Sequence, residues 1–223
     1  MRILIGGPVA DCDREEIPRF IKQGYFFDCP ERVSLTISLV TDSCLDAQYP
    51  TRLERIVAGR EKLRQQAIEG EYDVMVFLDA DMEYSCDLLP ALVHEHEKGF
   101  DVVYNVYRLK NGCFTYNGFG GTLISRNVFT TIPFRCYINP ETRNEVDEGF
   151  LFEMDVLNAG FTISRGVFGA TRHHEHFTEK RVMTPWEKIR YSYPARKAMA
   201  FAARNTTTAE RISRVGYRRM GEV

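Results

Sequence analysis

Residues 73–82 of the chain read DVMVFLDADM and combine the two features that decide the fold. Residues 73–78 form a continuous apolar run of strand length, which is typical of a strand buried on both faces of a parallel sheet. The run ends at Asp79-Ala80-Asp81, and ligands of open α/β sheets bind beyond the carboxyl ends of the strands. Two carboxylates one residue apart can both reach a small, hard cation. The stretch therefore predicts a buried strand that leads into an acidic binding site.

The acidic pair also has a structural interpretation, because Asp79 and Asp81 could be a polar strand end and a helix cap. The order of the neighbouring segments favours the binding interpretation. Residues 53–68 predict an amphipathic helix whose apolar face carries Arg60 and Arg64, and these two buried cations need partners. An acidic helix start at Asp147 follows later in the chain.

The segments on both sides of this strand alternate between strand and helix. Before it we predict strands over residues 2–5, closed by Gly6-Gly7-Pro8, and over 33–40. After it we predict a helix over 88–97, strands over 101–107 and 122–125 with a turn at Asn111-Gly112, a helix over 147–159, a strand over 161–164 and a loop over 172–176. This alternation predicts an α/β fold with a largely parallel sheet and helices on both faces.

Composition limits the classes of function. The 29 basic and 31 acidic residues nearly balance, so the chain lacks the signature of a nucleic-acid coat protein. The six cysteines form no CxxC pair, and no apolar run is long enough to span a bilayer. We therefore expect a cytoplasmic protein with reduced cysteines.

The C-terminal stretch differs from the rest because basic residues dominate it. We expect one catalytic domain over residues 1–185 and a basic helical tail over 186–223. Such a tail is usually a solvated helix face, and the alternative is peripheral contact with anionic lipid at the inner face of a membrane.

Two segments, AGREKLRQQAIEGEYDVMVFLDADM at 58–82 and EVDEGFLFEMDVLNAGF at 145–161, resemble the GT-A glycosyltransferases of the small single-domain DxD type. The resemblance extends over most of residues 2–176. It implies a Rossmann-like, mostly parallel central sheet with helices on both faces and a small antiparallel addition. It also implies hexosyl transfer from a UDP- or GDP-sugar to an acceptor hydroxyl, with Mn²⁺ or Mg²⁺ held by the DxD motif.

The same resemblance implies roles for individual residues. Asp81 would ligate the metal together with a histidine of the later loop, with His174 preferred over His173 and His176. The catalytic base would be Asp147 or Glu148, and both stay open because the acidic pair has the reverse of the order usual in the family. Donor-binding positions would be Pro8, Asp42, Arg60, Asp79 and Ala80.

The acceptor side is less well defined by the sequence. Gly118, Gly120 and Gly121 cluster before the strand at 122–125 and would leave room for a ligand, so we assign Gly120 and Gly121 to acceptor binding. A lipid-linked acceptor and a glycan both stay open. Alternatives for the whole chain are a sugar-phosphate nucleotidylyltransferase, whose glycine-rich loop after the first strand is missing here, and a non-catalytic binding module with a basic tail.

Overall fold

A computed structural model describes residues 1–29, 31–45, 49, 51–108, 114–139 and 145–173. The strands in these ranges are β1 (Arg2–Val9), β2 (Ser34–Thr41), β3 (Val74–Phe77), β4 (Met82–Tyr84), β5 (Val102–Asn105), β6 (Tyr107–Arg108), β7 (Phe114–Thr115), β8 (Thr122–Ser125), β9 (Tyr137–Ile138), β10 (Glu145–Val146), β11 (Ile163–Gly166) and β12 (Thr171–His173). The helices are α1 (Ile17–Gly24), α2 (Arg52–Glu69), α3 (Leu88–Glu97), α4 (Arg126–Thr131) and α5 (Glu148–Asn158). Short 3-10 helices cover Asp11–Glu16 and Asp42–Cys44.

The central sheet has six strands in the order β11-β5-β8-β3-β1-β2. Neighbouring pairs are parallel except where β8 runs antiparallel to both β3 and β5. The remaining strands form three small antiparallel pairs, β9 with β10, β4 with β12, and β6 with β7. The predicted α/β class, with a mostly parallel sheet and a small antiparallel addition, is confirmed.

Alternate residues of the strands pack into two hydrophobic layers, one on each face of the sheet. Ile3 and Ile5 face α1 and α3, whereas Leu4 between them faces α2, α4 and α5. A capping box fixes the start of α2, because Thr51 accepts the Glu54 N–H at 3.1 Å and the Glu54 carboxylate accepts the Thr51 N–H. Helices therefore cover both faces of the sheet.

The first strand is longer than predicted. β1 continues through Gly6-Gly7-Pro8, where a loop was expected, and pairs with β2 as far as Val9. The glycines serve close packing instead of a turn, because a Cβ on Gly7 would lie 2.9 Å from the Phe20 ring. Pro8 lies beyond the last pair that β1 makes with β3, so its missing N–H costs no bond on that side.

The predicted loop at 172–176 is also wrong in its first part, because residues 171–173 form β12. Its backbone pairs with β4 directly after the acidic motif, a pairing between distant segments that local sequence does not encode.

Four predicted features lie outside the described residues: His174, His176, the Asn111-Gly112 turn and the tail at 186–223. Within the described ranges, no helix combines the length and the apolar character needed to cross a bilayer.

Candidate functional site

The acidic motif lies where β3 ends, at the carboxyl edge of the sheet. Asp79 and Asp81 are half-buried, and Ala80 between them is buried. The Tyr84 hydroxyl accepts the Asp79 N–H at 2.7 Å and donates to the Asp79 carbonyl at 3.2 Å. The Met82 N–H donates to the same carbonyl at 3.3 Å. Tyr84 and this turn together fix the backbone that presents the two carboxylates.

Two buried tyrosines lie close to both carboxylates. Burial, followed by the negative charge of Asp79, raises the pKa of Tyr84 and of Tyr107 above the usual phenol range. The charge of Asp81 acts on both hydroxyls in the same direction. Both tyrosines therefore stay protonated, and the site concentrates two negative charges beside neutral hydroxyls. Neither tyrosine could be recognised from the sequence, because nothing in the local pattern sets it apart from core residues.

Arg60 joins this motif to a second acidic element. Its side chain projects from α2, and the residue is only 5% exposed. It forms an ion pair with Glu148, and its Nη2 lies 3.4 Å from Asp79 Oδ1. The guanidinium also lies 4.2 Å from the centre of the Phe119 ring. The expectation that Arg60 is buried and has a partner is confirmed, and the partners in the structure are two carboxylates.

Arg64, one turn further along α2, has a different environment. It is also buried, at 8% exposure, and it binds Glu61 through Nε and Nη2 and the Phe129 carbonyl through Nη1. Glu61 in turn accepts the Phe134 N–H at 3.0 Å. Among the described residues, this network holds α2 against α4 and includes no residue of the acidic motif, so we assign Arg64 a structural role.

The two candidate bases have different environments at the start of α5. Asp147 is the N-cap residue, is exposed, and accepts the Phe150 N–H through Oδ1 at 2.8 Å. Glu148 is 9% exposed and pairs with Arg60. Gly149 follows them where a Cβ would lie 2.6 Å from the Asn117 carbonyl, so the backbone packs tightly here.

Asp42 and Pro8 lie at the carboxyl ends of two adjoining strands, β2 and β1, and their assignment to the donor side stays a prediction. Asp42 directly follows β2, pairs with Arg55 Nε at 3.4 Å and accepts the Asp11 N–H at 3.4 Å. Pro8 is half-buried in β1 near Gly59 of α2, whose Cβ would lie 3.1 Å from the Pro8 Cβ. Arg55 is a further basic residue at this edge that the sequence analysis did not single out.

The space beside the glycines near β8 is filled by side chains of the protein itself. Cβ atoms on Gly118 and Gly120 would lie 2.6 Å and 2.8 Å from the Tyr107 hydroxyl, which accepts the Gly120 N–H at 3.2 Å. Gly121 adopts φ +98° and would meet Asn105. The cluster thus accommodates Tyr107 and a tight turn, where a space for a ligand was expected. An acceptor contact by Gly120 or Gly121 stays a prediction.

The metal-binding prediction rests on Asp81 and the later histidines. The backbone of His173 lies opposite Met82, the residue after Asp81, so β12 brings this part of the chain beside the acidic motif. In the part of the chain described here, no group of three or more His, Cys, Asp or Glu side chains is arranged to hold a metal. Two half-buried carboxylates at one turn nevertheless provide the hard oxygen ligands that Mn²⁺ and Mg²⁺ accept.

Comparison with solved structures identifies the fold. The chain superposes on Drosophila β1,4-galactosyltransferase 7, crystallised as a mutant with manganese, UDP-Gal and xylobiose, with a TM-score of 0.55 and 18% identity over 86% of this chain and 79% of that one. Glucosyl-3-phosphoglycerate synthase from Mycobacterium tuberculosis was solved with Mn²⁺, UDP-Glc and phosphoglyceric acid. It superposes with a TM-score of 0.52 and 15% identity over 99% of this chain and 81% of that one. This chain has the GT-A fold.

A third GT-A structure, S. aureus TarS 1-349 in complex with UDP-GlcNAc, gives a TM-score of 0.52 and 17% identity over 79% of this chain. The match spans only 60% of the TarS chain. No protein-family model matches the sequence, and no curated protein matches it.

Proposed function

We propose that this protein is a glycosyltransferase that moves a hexosyl group from a UDP- or GDP-sugar to an acceptor hydroxyl. One observation carries the proposal: the Asp79-Ala80-Asp81 turn lies at the carboxyl edge of the sheet and is linked through buried Arg60 to the acidic start of α5. The acidic turn would serve the donor, whose diphosphate needs a bound metal. The carboxylate at the start of α5 would serve the acceptor, whose hydroxyl needs a base. The UDP-sugar complexes of the GT-A structures support it.

Asp81 is our proposed metal ligand, and Asp79 and Ala80 would contact the donor. When bound, Mn²⁺ or Mg²⁺ would act as a Lewis acid that offsets the negative charge of the departing diphosphate. The half-buried position of both carboxylates strengthens their attraction for a cation relative to fully solvated groups. Asp42 and Pro8 would line the nucleoside side of the donor site.

Asp147 is our proposed base. Transfer forms a bond between the acceptor oxygen and the anomeric carbon, breaks the bond from that carbon to the diphosphate oxygen, and leaves the bonding electrons on the diphosphate. The acceptor hydroxyl must lose its proton to a carboxylate within hydrogen-bond reach. Asp147 is exposed and keeps Oδ2 as an acceptor while Oδ1 caps α5, whereas Glu148 is buried against Arg60.

Titration calorimetry of UDP and GDP with Mn²⁺ tests this function. We expect Mn²⁺-dependent binding to the wild-type protein and a loss of at least about tenfold in Asp81→Ala, because a direct ligand is removed. Asp73→Ala is the matched control: it lies at the opposite end of the same strand, where its carboxylate accepts the Arg2 N–H at 2.7 Å.

Circular dichroism establishes that both variants are folded. Equal, Mn²⁺-dependent affinities in wild type and Asp81→Ala would contradict the metal role of the motif. A wild-type protein that binds neither nucleotide would contradict the proposed function itself.

A further inference from the structure

We propose that Arg60 is a positioning residue that holds Asp79 on the donor side and Glu148 on the acceptor side in a single charge-paired unit. The inference rests on the proposed function, and it concerns how Arg60 acts there. Nη1 donates to Glu148, and Nη2 lies 3.4 Å from Asp79 Oδ1. Arg60 thereby acts on the donor through the two carboxylates and makes no direct contact with it.

The burial of Arg60 favours this role over that of a direct phosphate ligand. Its side chain is 6% exposed, the Phe119 ring covers the guanidinium at 4.2 Å, and Phe77 lies at 5.7 Å. Its Nε is buried and has no hydrogen-bond partner among the described residues. A donor phosphate could reach this guanidinium only by displacing the carboxylates and the ring that already surround it.

The charges explain why such a unit is needed. Asp79 and Glu148 come from segments 69 residues apart in sequence and converge on one guanidinium in a largely buried space. Without Arg60 the two carboxylates would be like charges in a medium that screens them poorly, so they would repel each other. A planar guanidinium can bind two carboxylates at fixed angles, which an ammonium group cannot do.

The helix that carries Arg60 is itself held in place. Gly59, the preceding residue, packs α2 against Pro8 of β1, and the Thr51–Glu54 capping box fixes the first turn of the helix. Arg64 anchors the next turn through Glu61 and the Phe129 carbonyl. The guanidinium of Arg60 is therefore delivered by a rigid element, as a positioning residue requires.

A double-mutant cycle on Mn²⁺–UDP affinity tests the inference. Arg60→Met and Asp79→Asn are each expected to weaken binding about 10- to 100-fold, because each breaks the buried charge pair that holds the donor-contacting Asp79 in place. If Arg60 acts through Asp79, the double variant binds within about threefold of the weaker single variant, because neighbours that share one interaction are not additive. The same comparison with Glu148→Gln tests the acceptor-side half of the unit.

Arg64→Met is the matched control, since it removes another buried arginine from the same face of the same helix. It is expected to lower the melting temperature and to leave Mn²⁺–UDP affinity unchanged in the folded protein. If Arg60→Met fails to fold, as judged by circular dichroism, the cycle is run with Arg60→Lys, which keeps the charge and loses the fork.

Three results would overturn the inference while nucleotide binding to the wild-type protein persists. These are multiplicative losses in the cycles, an unchanged affinity in the folded Arg60 variant, and an equal loss in Arg64→Met. A wild-type protein that binds no nucleotide in the presence of Mn²⁺ would instead overturn the proposed function, and this inference with it.

Discussion

Tyr84 offers a test of what holds the acidic motif in place. Its hydroxyl makes two hydrogen bonds to the Asp79 backbone, at 2.7 Å and 3.2 Å, and the residue is buried. Tyr84→Phe leaves that backbone N–H without its partner, which costs about 1–3 kcal/mol of unfolding free energy. For a chain of this size each kcal/mol lowers the Tm by about 2–4 °C. We therefore expect a fall in Tm of about 2–12 °C.

Tyr104→Phe is the control for this experiment. The Tyr104 hydroxyl is buried and has no hydrogen-bond partner in the described part of the chain, so its removal should be neutral or stabilising. Differential scanning calorimetry measures both effects, and titration with Mn²⁺ and UDP should show weaker binding only in Tyr84→Phe. Equal changes in Tm for the two variants would refute the reasoning, because both lose the same atom from the same residue type.

Two further predictions concern catalysis and thiol chemistry. Asp147→Asn should lower the rate at which nucleotide is released from a bound UDP-sugar by about 10²–10⁴-fold, because asparagine accepts no proton. Nucleotide affinity and Tm should not change, because asparagine caps a helix as well as aspartate does. A wild-type rate would exclude Asp147 as the base. Iodoacetamide should alkylate exposed Cys44 faster than exposed Cys86 at pH 7. A hydrogen bond with Thr41 lowers the pKa of Cys44, whereas a hydrogen bond with Asp28 raises that of Cys86, so the rate ratio should shrink as pH rises and both become thiolates. Peptide mass spectrometry measures the ratio, and equal rates at pH 7 would contradict the shifts.

Strong local patterns were sufficient to predict the main elements of the fold. The predicted helix at 88–97 coincides with α3, the predicted strand at 122–125 coincides with β8, and the helix at 53–68 is one residue short of α2 at each end. The apolar period of each segment depends only on its own residues, which is why it can be read locally. The direction of β8 could not be read in this way, because antiparallel insertion between β3 and β5 depends on the path of the whole chain.

The glycine segments show where local interpretation fails. Glycine after an apolar run is typical of a turn, so Gly6-Gly7 was interpreted as the start of a loop, and the cluster near Gly120 was interpreted as room for a ligand. In the structure these glycines accommodate side chains that arrive from elsewhere, Phe20 beside Gly7 and Tyr107 beside Gly120. Sequence alone shows that a side chain is missing at such a position, and only the fold shows which neighbour fills the space.

The two arginines of α2 show the same limit of local interpretation within the candidate site. Arg60 and Arg64 are four residues apart on one helical face, and by periodicity alone they are equivalent buried cations. The structure separates them, because Arg60 pairs with Asp79 and Glu148, whereas Arg64 pairs with Glu61 of its own helix and binds the Phe129 carbonyl of α4. Since buried charges require partners, the sequence could predict that both arginines were paired. Only the fold shows that Arg60 is the one that belongs to the site, because the end of β3 and the start of α5 converge on it.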